Sequence, residues 1–229
     1  MDSDSPILEA NGLRKTFDER DRIVLDGISL TVCYRENIAL MGPSGCGKTT
    51  LLSILAGLME ADVGTLTYRL PGIAPVDRLT AALRRNHVGI VFQSIHLIPT
   101  LTVLENIEIP MFGVERSQSR RLKRTREILE MLGLEELAHK QPHLLSGGER
   151  QRVAVGRAFA NHPSLVFADE PTGNLDTASS NRVVAALLDM AAQTRGALIV
   201  VTHNEAVAER MQRTLEIVDG HIVEPAMNR

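Results

Sequence analysis

Apolar and polar residues alternate through the first forty positions, with turn signals between the runs. Ile28-Ser29-Leu30-Thr31-Val32 has the period of two expected of a strand with one covered face. Ile38-Ala39-Leu40-Met41 is an unbroken apolar run and reads as a buried strand. The period then lengthens, so Thr50-Leu51-Leu52-Ser53-Ile54-Leu55-Ala56 predicts a helix. A further strand is expected after Gly64 in Thr65-Leu66-Thr67-Tyr68, a helix over 77–86, and a buried strand in Val88-Gly89-Ile90-Val91-Phe92. From about Leu101 to Pro142 the pattern is helical and poor in strands, with charge concentrated between Glu115 and Glu136. Leu165-Val166-Phe167-Ala168, a helix over 180–193 and Ala197-Leu198-Ile199-Val200-Val201 restore strand–helix–strand alternation. Two short strands around the turn Asp219-Gly220 close the pattern.

The alternation predicts an α/β fold with a mostly parallel sheet and right-handed crossovers. N-terminal antiparallel strands precede that sheet, and an α-helical subdomain is inserted into it. The expected organisation is one domain over 1–229, with a core of 1–98 and 160–229 and a helical part over about 99–159. No internal repeat or low-complexity tract interrupts it.

At 229 residues, 44% hydrophobic and 23% charged, the chain has the composition of an ordinary soluble domain. A net charge of −3 argues against a dedicated nucleic-acid binder. The run from Arg116 to Arg126 holds six basic residues, but no aromatics interleave with it and Glu127, Glu130, Glu135 and Glu136 follow, so it reads as a solvated helix face. No apolar stretch nears the roughly 18 residues of a membrane span. The acidic start Met1-Asp2-Ser3-Asp4-Ser5-Pro6 is unlike a secretory signal. Two cysteines, Cys33 and Cys46, fit a reducing compartment and read as small packed side chains.

The chemistry begins at Gly42-Pro43-Ser44-Gly45-Cys46-Gly47-Lys48-Thr49, followed by Thr50. This is G-x-x-x-x-G-K-T between a predicted strand and a predicted helix, the phosphate-binding loop of nucleotide hydrolases. The glycines let successive backbone N–H groups turn inward onto an anion. Lys48 offers charge to the β- and γ-phosphates, and the Thr49 hydroxyl suits Mg²⁺. The chain is therefore expected to bind a nucleoside triphosphate. The apolar strand at 165–168 ends in Asp169-Glu170, two acids that by themselves could mark a strand end. In phosphate-loop hydrolases such a strand is expected beside the loop, with Asp169 helping to hold Mg²⁺ and Glu170 orienting or polarising the attacking water. Leu145-Ser146-Gly147-Gly148-Glu149-Arg150-Gln151 makes Ser146 a helix cap and gives a second run of exposed N–H groups. Alone it reads as a cap. A chain with one phosphate cradle has no evident use for a second in the same pocket, so this one is expected to serve another subunit's nucleotide, two copies closing head to tail.

With these motifs in this order, the chain resembles the ATP-binding subunits of ABC transporters over essentially its whole length. The resemblance implies ATP and Mg²⁺ as cofactors and a role for each matching position. Phe17, where tyrosine is more usual, stacks on adenine; Gln93 senses Mg²⁺ and the permease, and is counted with the metal and catalytic groups. Ser146, Gly147 and Gly148 cap the γ-phosphate of the opposite chain, and Asp176 communicates across that dimer. Asp169 and Thr49 hold the metal, Glu170 is the base, Lys48 binds phosphate, and His203 contacts the γ-phosphate as a switch. Isolated from these motifs, Phe17 would read as core packing and His203 or Gln93 as incidental. The wording Glu170-Pro171-Thr172-Gly173-Asn174-Leu175-Asp176, together with the run from Val91 to Thr102, is similar to the lipoprotein-releasing and macrolide-exporter branch. That implies integral-membrane permease partners, no nucleic acid, and a peripheral place on the cytoplasmic face of the inner membrane. The alternative it leaves is a regulatory ATPase that drives no transport and acts through a membrane partner in cell division or cell-wall hydrolysis. Two departures stand out besides Phe17: Asn204 where Asp is usual after the histidine, and Gly156 where Ala is commoner, at about 1 kcal/mol for a mid-helix glycine.

Overall fold

The computed structural model describes residues 5–17 and 22–223; Met1-Asp2-Ser3-Asp4, part of the start read above, lies outside them. Nine strands and seven α-helices follow one another among the described residues. They are β1 (Pro6–Phe17), β2 (Arg22–Cys33), β3 (Asn37–Met41), α1 (Lys48–Leu55), β4 (Val63–Tyr68), α2 (Ala81–His87), β5 (Val88–Val91), α3 (Val103–Glu108), α4 (Gln118–Leu132), α5 (Gly147–Phe159), β6 (Leu165–Asp169), α6 (Thr177–Thr194), β7 (Ala197–Val201), α7 (Glu205–Ala208), β8 (Arg213–Val218) and β9 (His221–Val223). Strands β2-β1-β4 form an antiparallel sheet, and β5-β6-β7-β3-β8-β9 a second sheet that is parallel except at β8–β9.

The apolar strands of the larger sheet are buried on both faces, as a covered parallel sheet requires. Alternate residues feed different layers. Val166, Ala168, Leu198 and Val200 pack toward the helical side with Val153, Phe159 and Leu187. Leu165, Phe167, Ile199 and Val201 face the other way, toward Leu51, Ile54 and the antiparallel sheet. One expectation shifts. The helix expected over 77–86 starts at Ala81, because Thr80 is its cap, accepting from the Leu83 N–H. The acid-tipped end of β6 lies at the loop, Asp169 Oδ2 3.0 Å from the Thr49 hydroxyl, although β7 stands between β6 and β3.

Helices α3, α4 and α5 all fall between β5 and β6. Gly156 sits where they meet. A Cβ there would stand 2.8 Å from Ile128 Cγ2 and Leu132 Cδ1 and 3.2 Å from Ile107 Cδ1, so the glycine permits the close approach. The basic run on α4 is only partly a solvated face. Arg121 is buried, its Nε 3.0 Å from Glu108 Oε1, with Nη1 donating to the carbonyls of Glu115 and Arg116. Arg124 donates to the Phe159 carbonyl at 3.2 Å. Charge counting along the sequence treats every arginine as surface; a guanidinium with carbonyls and a carboxylate at hand can be taken inside.

Candidate active site

The carboxyl ends of β3, β6 and β7 bring four sequence-predicted groups together, as open parallel sheets do with their ligands. After β3 the loop turns through Gly42, Gly45 and Gly47, all with positive φ. A Cβ on Gly42 would strike the Ile217 carbonyl, and one on Gly47 would stand 2.9 Å from the Val24 carbonyl, so the loop is pressed onto β8 and β2. Pro43, Ser44 and Gly45 are exposed at its crest. Cys46 donates its N–H to the Pro43 carbonyl at 3.4 Å, and Thr50 continues α1. Lys48 curls back, its Nζ donating to the carbonyls of Gly42 and Pro43 at 2.8 Å each.

The Thr49 hydroxyl lies 3.0 Å from Asp169 Oδ2 and 3.3 Å from Oδ1. Burial pushes the Asp169 carboxyl up from its ordinary value; the Thr49 hydroxyl opposes that, the Glu170 carboxylate adds to it, and Lys48 opposes it. Two adjacent acids with a hydroxyl between them and the phosphate loop make a hard-oxygen set short of positive charge, which fits Mg²⁺ shared with a phosphate. Glu170 holds a positive φ of 44°, rare for a side chain with a Cβ, and its N–H donates to the Val201 carbonyl at 3.0 Å. This turn aims its carboxylate at His203, whose Nδ1 lies 2.9 Å from Glu170 Oε1. His203 itself is largely exposed. Asn204 caps α7, accepting from the Ala206 N–H at 3.0 Å, a duty that Asn performs as well as Asp.

The remaining candidates stand elsewhere. Phe17 ends β1 and is exposed, with Lys15 Nζ 5.8 Å from its ring centroid. Thr16 pairs with Ile23 and Lys15 with Leu25, so this hairpin end flanks the strand against which Gly47 is pressed. Ser146 forms a capping box with Glu149, which lowers the Glu149 carboxyl pKa by hydrogen bonding. Its hydrogen bonds run to Glu149 and Arg150, none to the phosphate loop. Gly147 lies against Leu175, and a Cβ on Gly148 would stand 2.9 Å from Ser179 Cβ, so the second cradle is packed on the start of α6. Asp176 caps that helix, accepting from the Ser179 N–H at 2.9 Å, and those bonds hold its pKa down. Gln93 follows β5; its Nε2 comes within 3.4 Å of where a Cβ on Gly173 would be. With Glu170, Gly147 and Asn174 it lines a cavity of about 400 Å³ between core and helical layers.

Asn106 escaped the sequence reading. It is wholly buried; its Oδ1 accepts from the Ile98 N–H at 2.8 Å, and its Nδ2 donates to the carbonyls of Ile98, Leu101 and Thr102. The available signal was an amide next to Ile107 and three residues after Val103, on a helix face that is otherwise apolar.

Comparison with known proteins identifies the family. The ABC transporter family model matches residues 25–173, more than half the chain. A lipoprotein-releasing system ATP-binding protein LolD from Nitrobacter hamburgensis is 41% identical over 227 residues, covering 96% of each chain. The macrolide export ATP-binding/permease protein MacB of Shigella flexneri is 44% identical over 96% of this chain but only 34% of its own length. Among solved structures, the dimeric post-hydrolysis state of the ATP-binding cassette MJ0796 bound to ADP and Pi superposes with a TM-score of 0.84 at 34% identity, covering 97% of this chain and 99% of that one.

Proposed function

The chain belongs to the ABC transporter family as an ATP-hydrolysing cassette, and from that premise we propose that two copies close head to tail around two nucleotides to drive a membrane permease. The observation that carries the reading is the spacing of Thr49, Asp169, Glu170 and His203 at adjoining strand ends, while Ser146 is bonded only to its own helix.

Phe17 stacks on adenine, and the phosphate-loop N–H groups with Lys48 hold the β- and γ-phosphates. On nucleotide entry Lys48 trades the loop's own carbonyls for phosphate oxygens, a charge-assisted exchange. Thr49, Asp169 and Gln93 would hold Mg²⁺, which supplies neutralisation of the charge that develops on the phosphate oxygens. Glu170 accepts the proton of the attacking water, and His203 keeps that carboxylate aimed at the γ-phosphate. Ser146 and the Gly147 and Gly148 amides close the pocket from the partner, and Asp176 links the two sites. We divide the chain accordingly into a core of 1–98 and 160–229 and a helical part of about 99–159 that meets the permease. Among the described residues no helix is long and apolar enough to cross a membrane. We place the chain on the cytoplasmic face of the inner membrane, beside a permease of the lipoprotein-release or macrolide-export kind, a reading supported by the likeness to the relatives named above.

The test is complementation between two silenced chains. Lys48→Ala and Ser146→Arg are each expected to hydrolyse ATP poorly. Mixed one to one, half the dimers pair the two variants and carry one intact site of two, so about a quarter of parental turnover returns. If the mixture stays as inactive as its parts, the shared pocket is wrong.

A further inference from the structure

Arg157 is the last basic residue of α5, eleven positions after Ser146 on the same rod. Among the described residues its guanidinium meets no carboxylate. Nη1 donates to the His96 carbonyl at 2.6 Å and Nη2 to the Ile95 carbonyl at 3.1 Å. Burial pushes its pKa down, and among the described residues no carboxylate pushes it back. This half-buried cation is given to two successive carbonyls, which arginine's planar fork suits because it meets two acceptors side by side.

The place it grips is also strained. His96 holds a φ of 48°, and its ring packs edge-on against Phe92 at 5.4 Å. Upstream, β5 is fixed in the sheet to Val91; downstream, Asn106 ties Ile98 to α3. Gln93 therefore sits in a short span with one end in the core and the other held by the helical layer.

We propose that Arg157 is a positioning residue for Gln93: its two-carbonyl clamp ties the loop that follows Gln93 to the helix that carries Ser146. The inference rests on the reading of Gln93 as a site residue.

The experiment compares the purified full chain with Arg157→Lys, Arg157→Ala and Gln93→Ala. Lys keeps the charge and most of the stem but cannot bridge two carbonyls in one plane. In Arg157→Lys, amide hydrogen exchange over 94–98 should rise about tenfold while peptides from α5 and β6 exchange as in the parent. Turnover should fall about tenfold with KM for ATP within about twofold, and half-maximal activity should require more Mg²⁺. Arg157→Ala should do the same to a larger degree. Parental exchange over 94–98 in Arg157→Lys, or equal loosening of α5, overturns the clamp. Parental turnover in Arg157→Lys when Gln93→Ala is impaired also overturns it. If Gln93→Ala is itself fully active while 94–98 loosens, the clamp stands and it is the Gln93 role that fails.

Discussion

The strand-end cluster and the helical layer hold their functional groups by different means. Thr49, Asp169, Glu170 and His203 each stand within two residues of a hydrogen-bonded strand or helix end, so the backbone ladder sets their spacing. In the helical layer the loop after Gln93 is held by side chains: Arg157 on Ile95 and His96, and Asn106 on Ile98. A ladder fixes atoms whatever the state of the ligand. A side-chain clamp fixes a loop to one partner element and leaves it able to travel with that element. The first suits chemistry that needs sub-ångström placement, and the second suits a part that reports and moves.

The sharpest way to break that contrast is Glu170→Gln. The amide still accepts from His203 and fits the same positive-φ turn, so the fold and ATP affinity should hold while turnover drops about 10³-fold. Single-turnover hydrolysis alongside equilibrium nucleotide binding checks both halves. Rapid hydrolysis by this variant would move the base elsewhere and remove the case for a rigid strand-end site.

Much of this end was legible in the residues alone, because the loop glycines and Lys48 fall in a fixed order along one strand-turn-helix and the acid pair ends a second apolar strand. What the pattern missed came from three dimensions. Nothing local says that β7 would slip between β3 and β6, since strand order is decided by crossovers. Nothing local says that Arg121 and Arg157 turn inward, because their acceptors are a carboxylate and carbonyls from 5 to 62 residues away. The Asn106 side chain bonds only residues 4 to 8 positions before it, and its one local sign was a lone amide beside Ile107. The Ser146 cap was readable, but only the packing of Gly148 on Ser179 tells where that cradle is anchored.

A smaller effect tests the strand end from the side of stability. The folded state holds the Asp169 proton more tightly than the unfolded chain, because burial raises its pKa. The sign follows from linkage: the native state binds more protons in the window above the ordinary value of 3.8, so stability falls as pH rises through that window and stays lowered at neutrality. Asp169→Asn removes the penalty while its Oδ1 can still accept from Thr49. The nucleotide-free variant should therefore melt at a higher temperature than the parent at pH 7, the gap closing as pH falls below the carboxylate range. Hydrolysis should be lost throughout. A lower Tm at pH 7 would mean that the carboxylate is already compensated by its surroundings and is not short of a cation.

The smallest expected change probes the helical layer. Gly156→Ala should gain about 1 kcal/mol from helix propensity. Against it stand about 1–3 kcal/mol of overpacking, since the new methyl would meet Ile128 Cγ2 and Leu132 Cδ1 at 2.8 Å. Leu132 Cδ1 is the end of a flexible side chain and can give way; Ile128 Cγ2 sits one bond from Cβ on α4 and moves only with the helix. Overpacking should win by about 1 kcal/mol, lowering Tm by about 2–4 °C for a chain of this size. Turnover should hardly change, because the added methyl would point at Ile128, Leu132 and Ile107 and at no strand-end group. A rise in Tm would show that α4 yields to α5 at little cost. The helical layer would then be soft between α4 and α5, unlike the ladder-fixed strand ends.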